Sequence, residues 1–182
     1  DLSGQSDPDS PGQAYFKCSP VVQEVTRLKN EDLYSDCQVL IDTLIEKLLY
    51  EPGSGHFLNA SYEEALHFTR YAEAVMSSFV EPYGDISILC ERIGKYHITT
   101  GNLDKGLFFF EKYTQMGEAL CAAHPDNPDF KNSLAISYEK LGSTHIALGN
   151  LVRALTFYEK YNYLEKELYE ADPQNLSFKN GL

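Results

Sequence analysis

A 48-residue internal repeat constrains this chain more than any other feature. The ten residues from Gly94 to Leu103 return as Gly142 to Leu151, keeping Gly, His, Ile, Gly, Asn and Leu in place. Leu107 to Tyr113 returns as Leu155 to Tyr161, Pro125 and Asn127 as Pro173 and Asn175, and Phe130-Lys131-Asn132 as Phe178-Lys179-Asn180. Of the 41 positions from 94 to 134, 19 are identical to the residue 48 further on, without a gap. Chance would give a few. A fixed period of this length implies stacked units, each burying its apolar face against the next.

Within a unit the apolar spacing is helical. From Leu151, apolar residues fall at Ala154, Leu155, Tyr158, Tyr161, Leu164 and Leu168, the three-and-four spacing of one buried stripe. Asn150 stands where an N-cap belongs, and Asp172-Pro173 ends the helix because proline lacks the amide hydrogen and disfavours a helical predecessor. The preceding helix is expected from about Asp129 to Leu148, closed at Gly149, which can take the left-handed conformation. Two long antiparallel helices joined by a tight turn make the unit.

Tyr138-x-x-Leu141-Gly142-x-x-His145, then Ala154-x-x-x-Tyr158, then Pro173, resembles the tetratricopeptide pattern W-x-x-L-G-x-x-Y…A-x-x-x-F…P. The unit before it supplies Cys90-x-x-Ile93-Gly94-x-x-His97, Gly106-x-x-x-Phe110 and Pro125. Small residues suit the crossing of the two helices, so Gly94 and Gly142 are expected to face Gly106 and Ala154. His97 and His145 stand where the family has Tyr, and Cys90 and Tyr138 where it has Trp. The period of 48 also exceeds the family's period of about 34. The extra residues amount to about two turns, roughly 10 Å, per helix. The resemblance covers residues 85–182 and implies an all-α, right-handed superhelical solenoid of antiparallel helical hairpins with long helices.

Domain organisation follows. Residues 1–13 have the Gly, Pro, Ser and Asp content of a disordered linker. Residues 14–84 read as N-terminal helices: a short one near 19–30, then a degenerate first hairpin. Its first helix spans Glu31 to Tyr50, with Leu33, Cys37, Leu40, Ile41, Leu44, Ile45, Leu48 and Leu49 on a broad apolar face. Its second runs from a capping box at Ser61 and Glu64 to about Val80. Residues 85–128 and 129–176 are the two clear units, and 177–182 begin a truncated third. The start at Asp1 without Met, and the break inside a repeat, are those expected of a piece of a longer protein.

Composition excludes several function classes. With 27 Asp+Glu against 15 Lys+Arg the formal charge is −12, which opposes a phosphate backbone, and no basic run relieves it. No apolar run reaches the roughly 20 residues of a membrane span. Cys18, Cys37, Cys90 and Cys121 form no C-x-x-C pair and read as reduced thiols, which points to a cytoplasmic protein. No phosphate-binding loop, dinucleotide fingerprint, zinc-binding pair of histidines or nucleophile elbow is present. Gly53-Ser54-Gly55-His56 reads as a connector, and the Asn59 and Asn175 sequons as turn and cap residues. No catalytic residue, metal ligand or cofactor is expected, and the chain does not read as an enzyme. His97 and His145 are expected to fill the family's tyrosine slot, half-buried, rather than act as ligands.

The resemblance places partner binding on the concave face, lined by the first helix of each unit. The matching positions are Ile88, Glu91, Lys95, Ile98 and Thr99 in one unit, and Ile136, Glu139, Ser143, Ile146 and Ala147 in the next. Glu91 and Glu139 would repel a carboxylate tail, so a protein or peptide with basic and apolar side chains is the expected partner. The module would serve protein–protein interaction or scaffolding. Two further expectations are a regulatory arm of a multidomain enzyme, with an NTPase or protease elsewhere in the parent chain, and self-association through the truncated repeat end.

Overall fold

A computed structural model of the protein describes residues 33–51, 56–79 and 84–173. The linker, the helix near 19–30, the Gly53 to Gly55 connector, the Asn175 sequon and residues 177–182 lie outside the described residues. The chain divides into two compact units, Asp1–Cys37 and Gln38–Leu182. Of the first, the described residues are the helical turn Leu33–Cys37.

Six α-helices are present among the described residues: α1 (Leu33–Lys47), α2 (Tyr62–Met76), α3 (Gly84–Thr99), α4 (Leu103–Ala123), α5 (Pro128–Ala147) and α6 (Leu151–Ala171). They pack in chain order. The extensive contacts are α3 with α4, α4 with α5 and α5 with α6, and a smaller one joins α2 to α3. None of these helices is long and apolar enough to cross a membrane.

The ends of the helices follow from their sequences. Ser61 caps α2: its hydroxyl accepts from the Glu64 amide while the Glu64 carboxylate accepts from the Ser61 amide. Asn102 and Asn127 cap α4 and α5 through side-chain oxygens, and Pro128 fits the first turn of α5 because that turn's amides need no intrahelical partner. Asn150 occupies the N-cap of α6 but its side chain makes no capping bond. Gly101 and Gly149, 48 residues apart, have φ of +82° and +76°, the left-handed conformation that turns α3 into α4 and α5 into α6.

Two expected helices prove shorter. The first stops at Lys47, because Tyr50 and Phe57 then form an antiparallel bridge, with Leu58 donating its amide to the Leu49 carbonyl. The second stops at Met76, where Ser77 and Ser78 turn their hydroxyls back onto the Ala74 carbonyl. In α1 the buried face is Ile41 and Leu44, continued by Leu48 just past its end, while Leu40 is exposed. Leu155 also leaves the expected α6 stripe and is exposed; Ala154 and Leu168 carry it instead.

The hairpin crossings are built on glycine. A Cβ on Gly94 would stand 2.6 Å from the Phe110 ring, and one on Gly142 would stand 2.8 Å from the Tyr158 ring. A Cβ on Gly106 would collide with Ile98 and lie 3.3 Å from the Gly94 carbonyl oxygen. Gly94 and Gly106 therefore do meet, as the spacing predicts. At Gly142 it is the Tyr158 ring, one turn beyond the buried Ala154, that enters the space a side chain would take.

Candidate functional site

Two repeated features stand out: the histidine slots inside the hairpins and the row of α3 and α5 positions expected to meet a partner. His97 and His145 are both buried, 6% and 1% exposed. Each ring stacks on a phenylalanine of the following helix, His97 on Phe109 at 5.8 Å and His145 on Phe157 at 5.4 Å. The half-buried polar group expected from sequence is instead a core aromatic.

Their polar atoms differ. His97 Nε2 lies 2.7 Å from Glu73 Oε1, and the same oxygen receives Lys105 Nζ at 2.6 Å, so one carboxylate of α2 ties α3 to α4. Burial opposes ionisation of Glu73, but the bonds from Lys105 and His97 outweigh it and hold its carboxyl below the ordinary range. Burial also pushes the His97 imidazole down, against the pull of Glu73. Forty-eight residues on from Glu73 stands Cys121, which has no carboxylate to offer. The Nδ1 of His145 is buried without a partner, and burial with the nearby Arg153 charge pushes this imidazole down as well. Nothing in the repeated motif distinguishes the two histidines; the signal lies 24 residues upstream of each.

The row on α3 and α5 is mixed. Ile88, Ser143, Ile146 and Ala147 are exposed, with Ile146 half open to solvent; Glu91, Lys95, Ile98, Thr99, Ile136 and Glu139 are half-buried. Ile98 packs against Gly106, the Thr99 hydroxyl donates to the Lys95 carbonyl, and the Lys95 ammonium lies 4.9 Å from the centre of the Tyr50 ring. These three are engaged within the protein. Glu91 is bonded to Arg92 at 2.6 Å and Glu139 to Lys140 at 2.8 Å. The row thus presents two acid–base pairs at the repeat spacing, not the bare carboxylates that the sequence suggests.

Cys37, Cys90 and Cys121 are free thiols, and burial raises the Cys90 thiol to about 12. Burial likewise raises the Tyr113 hydroxyl, which bonds Ser133, to about 12. Among the described residues no cluster of three His, Cys, Asp or Glu side chains is arranged to hold a metal. No family model, no curated protein and no solved structure matches this chain.

Proposed function

We propose that the chain is a tetratricopeptide-like stack of long hairpins, a right-handed solenoid, serving as a protein–protein interaction module. Its partner lies along the first helices of the two repeated hairpins, α3 and α5. The observation that carries this reading is the recurrence, at a spacing of 48, of an acid–base pair flanked by aliphatic residues at least partly open to solvent. Glu91-Arg92 sits beside Ile88, and Glu139-Lys140 lies between Ile136 and Ile146. A repeated surface suits an extended or helical segment that meets equivalent groups on successive hairpins. Glu139 keeps about a third of its side chain exposed (35%), so a partner with basic as well as apolar side chains fits it best.

The test uses the whole chain and a fluorescein-labelled 12-residue peptide of alternating Lys and Leu at about 0.15 M salt, where surface charges interact over roughly 8 Å. Anisotropy is expected to show saturable binding that falls at least tenfold in Glu91→Lys with Glu139→Lys, with helicity by circular dichroism retained. Binding unaltered in that double variant would remove the partner from this face.

A further inference from the structure

One set of differences between the two repeated hairpins reshapes the surface. Seven residues of α5 and α6 line an open groove of about 460 Å³: Leu134 and Tyr138 form the floor, and Thr156, Glu159, Lys160, Tyr163 and Leu164 the wall. Their counterparts 48 residues earlier are Ile86, Cys90, Phe108, Glu111, Lys112, Gln115 and Met116. Four positions keep their character: two aliphatic or thioether, one acid and one base. The other three change together. Thr156 stands where α4 carries the bulky Phe108, which clears the space. Tyr138 replaces Cys90, and Tyr163 replaces Gln115, which adds aromatic surface around it. In the first hairpin Lys112 lies over Phe108 itself, at 5.2 Å from the ring centre. In the second, with no ring at position 156, Lys160 places its ammonium over Tyr138 at 4.9 Å and Phe157 at 5.8 Å.

Both new tyrosines are held by carboxylates. Tyr138 donates its hydroxyl proton to Glu118 at 2.8 Å, and Tyr163 donates to Glu167 at 3.0 Å. With Glu159 in the wall, the lining residues and their hydrogen-bond partners carry three carboxylates against the single ammonium of Lys160. The site is therefore an aromatic-floored, net acidic groove on an exposed helix, since Thr156, Glu159, Lys160 and Tyr163 are all exposed. Aromatic rings with adaptable polar neighbours favour an apolar side chain, and the surplus of carboxylates favours a cationic neighbour on the same ligand.

We infer that the α5/α6 groove is a second binding site, which takes one aliphatic or aromatic side chain of a partner peptide while an adjacent Lys or Arg meets Glu159. It shares no residue with the α3/α5 row and does not depend on partner binding there. The three coordinated replacements, Phe108 by Thr156, Cys90 by Tyr138 and Gln115 by Tyr163, set its lining apart from the equivalent positions of the first hairpin.

Because the chain has no Trp, Tyr163→Trp places a single fluorescent reporter in the groove. Three 12-residue peptides serve as probes: alternating Lys and Leu, alternating Lys and Ser, and alternating Glu and Leu. The Lys–Leu peptide is expected to shift the emission of the introduced indole saturably, with at least tenfold weaker effects from the other two. Thr156→Phe, which restores the residue of the first hairpin at an exposed position, should weaken the Lys–Leu response at least tenfold without altering circular dichroism or the unfolding midpoint. Equal responses to Lys–Leu and Lys–Ser would reduce the effect to general attraction by a chain of charge −12 and overturn the groove. So would a preference for the Glu–Leu peptide, a response untouched by Thr156→Phe, or an emission shift that follows protein concentration alone, which would mean a second copy occupies the surface. With Tyr163→Trp in place, adding Glu91→Lys and Glu139→Lys should leave the emission response within about twofold. The tenfold anisotropy loss expected of that pair is read in the Thr156→Phe chain, where the groove is closed. An emission response lost with Glu91→Lys and Glu139→Lys would make the groove part of the α3/α5 row and overturn it as a second site.

Discussion

His97 and His145 occupy one repeat position, yet substitution at the two should act in opposite directions. His145 leaves Nδ1 buried and unpartnered, a desolvation cost of about 1–3 kcal/mol. Phenylalanine keeps the stack on Phe157 and removes that group. His145→Phe is expected to be neutral to stabilising by up to about 1 kcal/mol, after the slight overpacking of a larger ring. His97→Phe forfeits the bond to Glu73 and should cost about 1 kcal/mol. Urea midpoints for the two variants check the contrast, and equal shifts of the same sign would refute it. Both imidazoles are pushed below the ordinary histidine value, so near pH 6 the unfolded chain binds more protons than the folded one. Stability then rises with pH through that window. The thermal midpoint is expected to fall as pH drops from about 7.5 to 5.5, less steeply in His145→Phe. Glu73, with its carboxyl depressed, adds a further loss only as pH falls through the ordinary carboxylate range, near pH 4, and below it.

At the level of helices, three glycines that meet a neighbouring helix, Gly94 and Gly142 at the hairpin crossings and Gly117 of α4 facing Leu134 of α5, are not equivalent. Alanine gains about 1 kcal/mol of helix propensity over glycine, against an overpacking cost of roughly 1–3 kcal/mol. At Gly94 the intruding methyl meets the Phe110 ring, which is 2% exposed and has nowhere to move, so the overpacking wins and Gly94→Ala should be net destabilising. At Gly142 the Tyr158 ring is only half-buried and can swing outward, so the two effects nearly cancel. At Gly117 the nearest atom is the tip of Leu134 at 3.3 Å, and Gly117→Ala should be neutral or mildly stabilising. The order of thermal midpoints, Gly117→Ala highest and Gly94→Ala lowest, is the measurement; any other order contradicts the packing described. Much at this scale is legible in the sequence. Gly149, Pro173 and the capping box of Ser61 with Glu64 are local signals, and they locate the helix ends to within a few residues. What cannot be read there depends on distant partners. Leu155 fits the apolar period but finds nothing to cover it. Glu91 and Glu139 look like free acids until the side chains of Arg92 and Lys140 fold back on them. The groove emerges only when two helices are superposed on their predecessors and Thr156 is seen as a missing ring.

Across the whole stack, stability in repeat architectures is close to a sum of unit and interface contributions, so opening starts where an interface is thinnest. Among the helix interfaces described above, the smaller one is the junction of α2 with α3, where Met76 packs on Cys90 and polar ties add to the contact. Glu73 of α2 bonds His97 and Lys105, while Gln38 of α1 donates to Asp85 of α3 at 2.8 Å. By contrast α3 to α6 are joined by buried apolar residues such as Ile93, Phe110, Leu134 and Leu141. Amide hydrogen exchange under native conditions should therefore show α2 and residues 38–47 opening at lower free energy than α4 and α5. Glu73→Ala removes a partly exposed carboxylate that accepts two charge-assisted bonds, and solvent screening reduces their worth to about 1–2 kcal/mol together. That loss should appear in the opening of α2 and leave the slowest amides of α5 and α6 unchanged, because neither helix touches Glu73 through any of these bonds. If every helix instead exchanged at one common free energy, and Glu73→Ala lowered all of them equally, the chain would be a single cooperative unit, and the first hairpin would belong to the core rather than to its edge.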